Sequence, residues 1–190
     1  MGSTRAEVED IVLRIRSLLI ACVLPMALGA CSRNGGSPDF VQKVFGSQQV
    51  LDSFLASREV RVQRLHWRDE HLNPGILASY EQGQEVLVPS AESKQLQKLL
   101  QLPSSFDWGP YEKNCIVEYG LVFTFRSGPR TVRVALCFNC NWLGIFNGVD
   151  QSVSNINREM DFDPIRPQLI AIAKALYPRD PEIQSLKPKH

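Results

Sequence analysis

The chain has 190 residues, 21 Lys+Arg against 20 Asp+Glu, 44% hydrophobic residues and 5 cysteines. That length suits one domain and is cramped for two, and 22% charged residues is ordinary for a globular protein rather than a disordered or fibrous one. A formal net charge of +1 lacks the basic footprint of a nucleic-acid binder, so no nucleic-acid partner is expected.

The N-terminal stretch carries an address. Arg14 and Arg16 precede an apolar run from Leu18 to Ala27, and small residues follow at Gly29 and Ala30 just before Cys31. Positive charge, a short apolar run and small residues at a cleavage point are the three parts of an export signal. The run is interrupted by Pro25 and is shorter than the roughly 20 apolar residues of a membrane span.

Leu28-Gly29-Ala30-Cys31 resembles the lipobox of bacterial lipoproteins. The resemblance implies that Cys31 is acylated and that residues 1–30 are removed as a signal peptide. Each buried CH₂ of an acyl chain contributes about 0.8 kcal/mol, so several chains anchor stably. Cleavage before Cys31 would leave 160 residues. Glu7, Glu9 and Asp10 depart from the usual positive start of such signals, and a true start near Val12 or Leu13 would remove them. Ser32 stands where an aspartate would signal inner-membrane retention, so by that family rule the outer membrane is favoured. The implied location is the bacterial cell envelope, with the membrane as a partner through Cys31.

Residues 31–37 are small and polar and read as a tether. Ser37-Pro38 then has the form of a helix start, and apolar spacing predicts a helix over 38–57, weakened by Gly46. Val60, Val62, Leu65 and Trp67 predict a strand in which Arg64 is out of phase, suggesting a bulge or an early exit from the sheet. Residues 68–83 read as loop, Glu85–Val88 as a short strand, and 90–101 as a helix stopped by Pro103. The loop 103–113 carries Phe106 and Trp108, expected to fold back onto the core.

The clearest β pattern covers 115–126 and 130–138. Odd positions from Cys115 to Phe125 are apolar on the first segment, even positions from Val132 to Phe138 on the second, and Ser127-Gly128-Pro129 separates them. This predicts an antiparallel hairpin with one buried face. Leu143, Ile145 and Phe146 predict another strand, 149–161 a polar loop, and 163–177 a last helix capped by Asp163 and stopped by Pro178. Together these elements predict an α+β fold: one domain over 38–190, with an antiparallel sheet of four to five strands and two or three helices on one face.

Cys115, Cys137 and Cys140 remain for the folded domain, and several readings stay open. Antiparallel alternation puts Cys115 and Cys140 on one face and Cys137 on the other. In one register Cys115 faces Cys140. One pair further, Val117 faces Cys140 and Cys115 lies diagonal to it. A Cys115–Cys140 disulfide is therefore expected in an exported chain, unless a turn at 139–141 interrupts the strand. Buried, unbonded cysteines are the plain alternative. The C-x-x-C at Cys137/Cys140 offers a redox pair, although a continuing strand would set its sulfurs about 10 Å apart on opposite faces. Cys115, Cys137 and Cys140 with His66 or His71 would number four zinc ligands.

Asp69 and Glu70 beside His66 and His71 match no mechanistic template, and neither a G-x-S-x-G elbow nor a phosphate-binding G-x-x-x-x-G-K-[ST] run occurs. Arg126, Arg130 and Arg133 read as a solvated tip and outer face. Leu136–Cys140 and Phe162–Leu169 resemble stretches of uncharacterised bacterial proteins, which implies no activity. The expected function is a lipid-anchored envelope protein with a non-catalytic binding or interaction domain, possessing no cofactor and an envelope partner of unknown identity. The alternative is a thiol–disulfide or metal-dependent protein using Cys137/Cys140.

Overall fold

The computed structural model describes residues 37–68, 77–109, 113–147 and 156–188. The export signal, Cys31, the tether up to residue 36 and the Asp69, Glu70 and His71 side chains lie outside the described residues.

Two helices stand where one was expected. Ser37 caps α1 (Pro38–Val44) by accepting a hydrogen bond from the Phe40 N–H, and Ser47 does the same for α2 (Gln48–Leu55) with the Val50 N–H. Between them Gly46 adopts φ 72°, a left-handed value that favours glycine and ends the first helix. The apolar spacing survives because Phe40, Val44, Leu51 and Phe54 all enter the same core.

The predicted strand at 60–67 is β1 (Glu59–Trp67). After it come β2 (Tyr80–Gln82), β3 (Val86–Leu87), α3 (Ser90–Leu100), β4 (Leu121–Ser127), β5 (Arg130–Cys137), β6 (Trp142–Asn147), β7 (Ile156–Asp161), α4 (Arg166–Leu176) and α5 (Pro181–Ser185). All pairings are antiparallel, in the order β2-β1-β4-β5-β6-β7, with β3 also paired to β1. The α+β class is as expected, but the described residues form seven strands and five helices, more than the pattern predicted.

The extra strands are the weakly apolar ones. Residues 80–82, read as loop, pair with the end of β1, and 156–161, also read as loop, form an edge strand on β6 with Leu143 opposite Met160. An edge strand needs few apolar side chains because pairing on one side suffices to order its backbone. The last helix was also missed: Asp180-Pro181-Glu182 starts α5, with Asp180 accepting from the Ile183 N–H at 3.0 Å.

The helices share one face of the sheet. Val60 and Val62 of β1, Leu121, Phe123 and Phe125 of β4, Val132, Val134 and Leu136 of β5, and Leu143 and Ile145 of β6 meet buried residues from all five helices. Phe54 of α2 lies against Phe125 with ring centroids 4.5 Å apart. Phe106 is buried in this core as expected, whereas Trp108 stays 47% exposed, against Phe40 and Phe106 and beneath Lys43.

The opposite face carries a second, smaller core at one end. Leu65, Tyr80, Val122, Ala135, Cys137 and Phe146 belong to it, with Val117, Tyr119 and Cys140 from outside the strands. This explains the phase slip in β1 without a bulge. Val60 and Val62 fill the first core, Leu65 and Trp67 pack on the second, and Arg64 occupies the first-core parity between them. The buried face changes; the strand continues.

Residues 113–120 also depart from expectation. They keep the odd apolar pattern but form no strand. Val117 and Tyr119 join the second core, while Leu121 and Phe123, at the same parity, join the first. The chain therefore passes between faces at Gly120. There its N–H donates to the Leu136 carbonyl, and its own carbonyl accepts from the Leu65 N–H and from Arg64 Nη1. The segment 113–119 lies over the second core as a cover.

Candidate functional site

The cover, the 138–141 turn and α5 surround a region that brings together cysteines, ion pairs and aromatic rings. β5 ends at Cys137, and the chain turns through 138–141 before β6 begins at Trp142. Asn141 takes φ 59°, a left-handed conformation that asparagine tolerates better than most residues.

Cys115 and Cys140 lie at disulfide distance, with Cα atoms 6.0 Å apart, the pairing anticipated from the sequence. The route to it differs. The turn at 138–141 interrupts the alternation, and Cys115 lies on the exposed cover rather than on a strand. Cys140 is buried and shares the second core with Cys137 instead of opposing it.

Cys137 is a free, fully buried thiol. Burial pushes its pKa up, and the Glu118 carboxylate adds to this. The backbone N–H groups of Cys140, Glu118 and Asn139 partly offset both.

A polar network holds the turn from behind. Arg166, 5% exposed, donates through Nη1 to the Phe138 carbonyl at 2.6 Å and to Asn141 Oδ1, and through Nε to the Lys187 carbonyl at 3.1 Å. Asn141 Nδ2 donates to Asp163. Lys113 Nζ reaches Asp161 at 2.6 Å, Asp163 at 2.8 Å and the Cys140 carbonyl at 3.1 Å. Burial depresses the Lys113 pKa, but its hydrogen bonds and attraction to Asp161 and Asp163 outweigh this and raise it. The expected Asp163 helix cap does not form: its carboxylate is committed to Lys113 and Asn141.

Tyr119 lies against the sheet where β6 has no side chain. Its hydroxyl occupies the place where a Cβ on Gly144 would stand, and its ring packs against Phe146 at 5.8 Å. The Tyr119 N–H donates to the Tyr80 hydroxyl at 3.0 Å. The indole N–H groups of Trp67 and Trp142, packed on the same core, are buried without a hydrogen-bond partner.

Beside the cover opens a cleft of about 600 Å³, bounded by His66 and Trp67 of β1, by Glu118 and Tyr119, and by Glu182 of α5. Arg64 fixes its α5 wall. Nε donates to Asp180 at 2.7 Å, Nη2 to Glu182, and Nη1 to the Gly120 carbonyl at 2.6 Å. Burial raises the Asp180 pKa, but the Ile183 N–H and Arg64 overcome this and hold it below the ordinary aspartate value. Burial, with some help from Asp180 and against Arg64, pushes the Tyr177 hydroxyl up to about 12.

His66 is exposed, and strand alternation turns it away from the side of β1 that carries Leu65 and Trp67 to the second core. It does not join the cysteines. Among the described residues no group of three or more His, Cys, Asp or Glu side chains is placed to hold a metal ion. Arg126 pairs with Glu59 and Glu85 on the outer face, and Arg133 beside it is only partly exposed rather than fully solvated.

Arg166, Lys113 and Gly144 were not singled out in the sequence. Asn141 was read only within a turn at 139–141 and Asp163 only as a helix cap, and their joining depends on contacts more than twenty residues apart. Comparison with protein-family models, curated proteins and solved structures finds no match for this chain.

Proposed function

We propose that this is a lipid-anchored protein of the bacterial cell envelope whose domain binds a partner or ligand at the cleft beside the cover and catalyses no reaction. The Cys115–Cys140 pair carries the compartment side of this reading, because such bridges persist where thiols are oxidised. No helix among the described residues is long and apolar enough to cross a membrane. Attachment would then come from acylated Cys31, which directly follows Leu28-Gly29-Ala30.

The cleft supports the binding side. Arg64 is already committed to two carboxylates and a carbonyl, whereas Glu118 is exposed and Glu182 keeps 73% of its side chain in solvent. The rim is thus acidic beside the partly exposed ring of Trp67. It suits a partner presenting an apolar group beside a cation or hydrogen-bond donor.

Membrane fractionation of cells producing the full chain tests the anchor. The wild type should sediment with the outer membrane, and Cys31→Ala should shift most of it away from the mature, membrane-bound pool. Unchanged membrane association and an unchanged processed mass in Cys31→Ala would overturn the proposal.

A further inference from the structure

Three sulfurs converge on one end of the second core, and they are not equivalent. Cys115 is on the exposed cover, next to Ile116, which is 65% exposed. Cys140 and Cys137 are buried in the same apolar cluster, separated by a tight turn. The loop 138–141 is closed by the Cys137–Trp142 pair, so the chain bends back within three residues of Cys137, as a C-x-x-C bridge requires. The Cys140 backbone N–H approaches the Cys137 sulfur, so the turn folds residue 140 back toward residue 137. Cys140 can therefore bond outward to Cys115 or inward to Cys137.

We infer that Cys137 is the resolving thiol of an internal disulfide exchange that releases Cys115 as a reactive surface thiol. The Cys137 thiolate attacks Sγ of Cys140. The Cys137–Cys140 bond forms as the Cys140–Cys115 bond breaks, and Cys115 leaves as a thiolate that takes up the proton Cys137 gave up. The disulfide count is unchanged, so no oxidant or reductant is consumed. Released Cys115 can then attack a disulfide of another molecule, forming a mixed disulfide on this chain and a thiol on the other.

The surroundings fit this role. The exchange withdraws the bridge from the exposed cover into the buried turn, leaving 113–119 held by the Lys113 ion pairs and the Tyr119–Tyr80 hydrogen bond. The network of Arg166, Asn141 and Lys113 keeps the turn backbone in place while the sulfur partner changes. Burial of the Cys137 thiol keeps it largely protonated, which makes the exchange slow rather than spontaneous on mixing. None of this depends on the anchor at Cys31.

Oxidised glutathione serves as the probe. The full chain, purified without reductant, is incubated with it under native conditions, quenched in acid and mapped by peptide mass spectrometry. Glutathione should appear on Cys115, in molecules that also carry a Cys137–Cys140 bridge. In Cys137→Ser or Cys137→Ala, labelling of Cys115 should fall at least tenfold. Glutathione on Cys137 with Cys115–Cys140 intact would overturn the inference, as would equal Cys115 labelling in the variants or no labelling of Cys115 in the native chain. If neither variant folds, the bridge map of the native chain decides alone.

Discussion

The two faces of the sheet bury apolar residues in different ways. The helix face is filled by side chains from strands and helices of ordinary amphipathic pattern, in one continuous cluster. The opposite face is apolar only at one end, where residues 113–119 cover it; at the other end it is charged, with Glu59, Arg61 and Arg126 paired in solvent. The first core is closed by secondary structure. The second is closed by a segment without strand pairing, a cysteine pair at disulfide distance and a glycine vacancy, and it contains a free thiol and two indole N–H groups without partners. Buried polar groups left unpaired cost about 1–3 kcal/mol each. The two indole N–H groups therefore weaken the second core, and the cleft is lined by residues of both cores.

The largest expected effect comes from the helix face. Phe125→Ala removes a fully buried ring that lies against Phe54 and should cost about 3–5 kcal/mol in denaturant unfolding. A loss below 1 kcal/mol would mean that this core is not the main support of the fold.

Gly144→Ala probes the second face. The new methyl would meet the Tyr119 hydroxyl and displace the cover, at a cost of about 1–3 kcal/mol and with a change in tryptophan fluorescence from Trp142 and Trp67. Adding Tyr119→Phe should recover part of that stability, because it removes the atom that clashes. A Gly144→Ala chain of unchanged stability and fluorescence would show that Tyr119 does not lie on β6.

A smaller effect, of about 1 kcal/mol, is expected at the Arg64–Asp180 latch. The Asp180 pKa is lower folded than unfolded, so its contribution is fully present above the ordinary aspartate pKa of 3.8 and is lost as pH falls through the lower, folded value. Asp180→Asn should therefore be less stable than wild type at pH 7, with the gap closing in acid. A gap that stays constant down to the acid transition would remove the latch from the account.

What could be read in advance follows the same division. The β4–β5 hairpin, α3 and α4 were legible because one period of apolar residues coincides with one buried face. Alternation gives parity, however, and not which face is filled. It therefore could not show that β1 changes its buried face at Arg64, or that odd residues on either side of Gly120 enter different cores. β7 went unseen because an edge strand can be mostly polar. The Cys115–Cys140 pairing was anticipated, yet the ladder invoked for it does not extend to either cysteine. The Arg166–Asn141–Asp163–Lys113 network joins four positions with no common local pattern.

Roofing at one end has a further consequence for β4 and β5. Their paired residues Leu121 and Leu136 sit where apolar layers lie on both sides, whereas Ser127 and Arg130 close the hairpin in solvent. The same two ribbons thus run from a sealed end to a wet one. Amide protons should record that gradient along a single strand: those near Leu136 exchange only when the whole domain opens, and those near Arg130 do so by fraying.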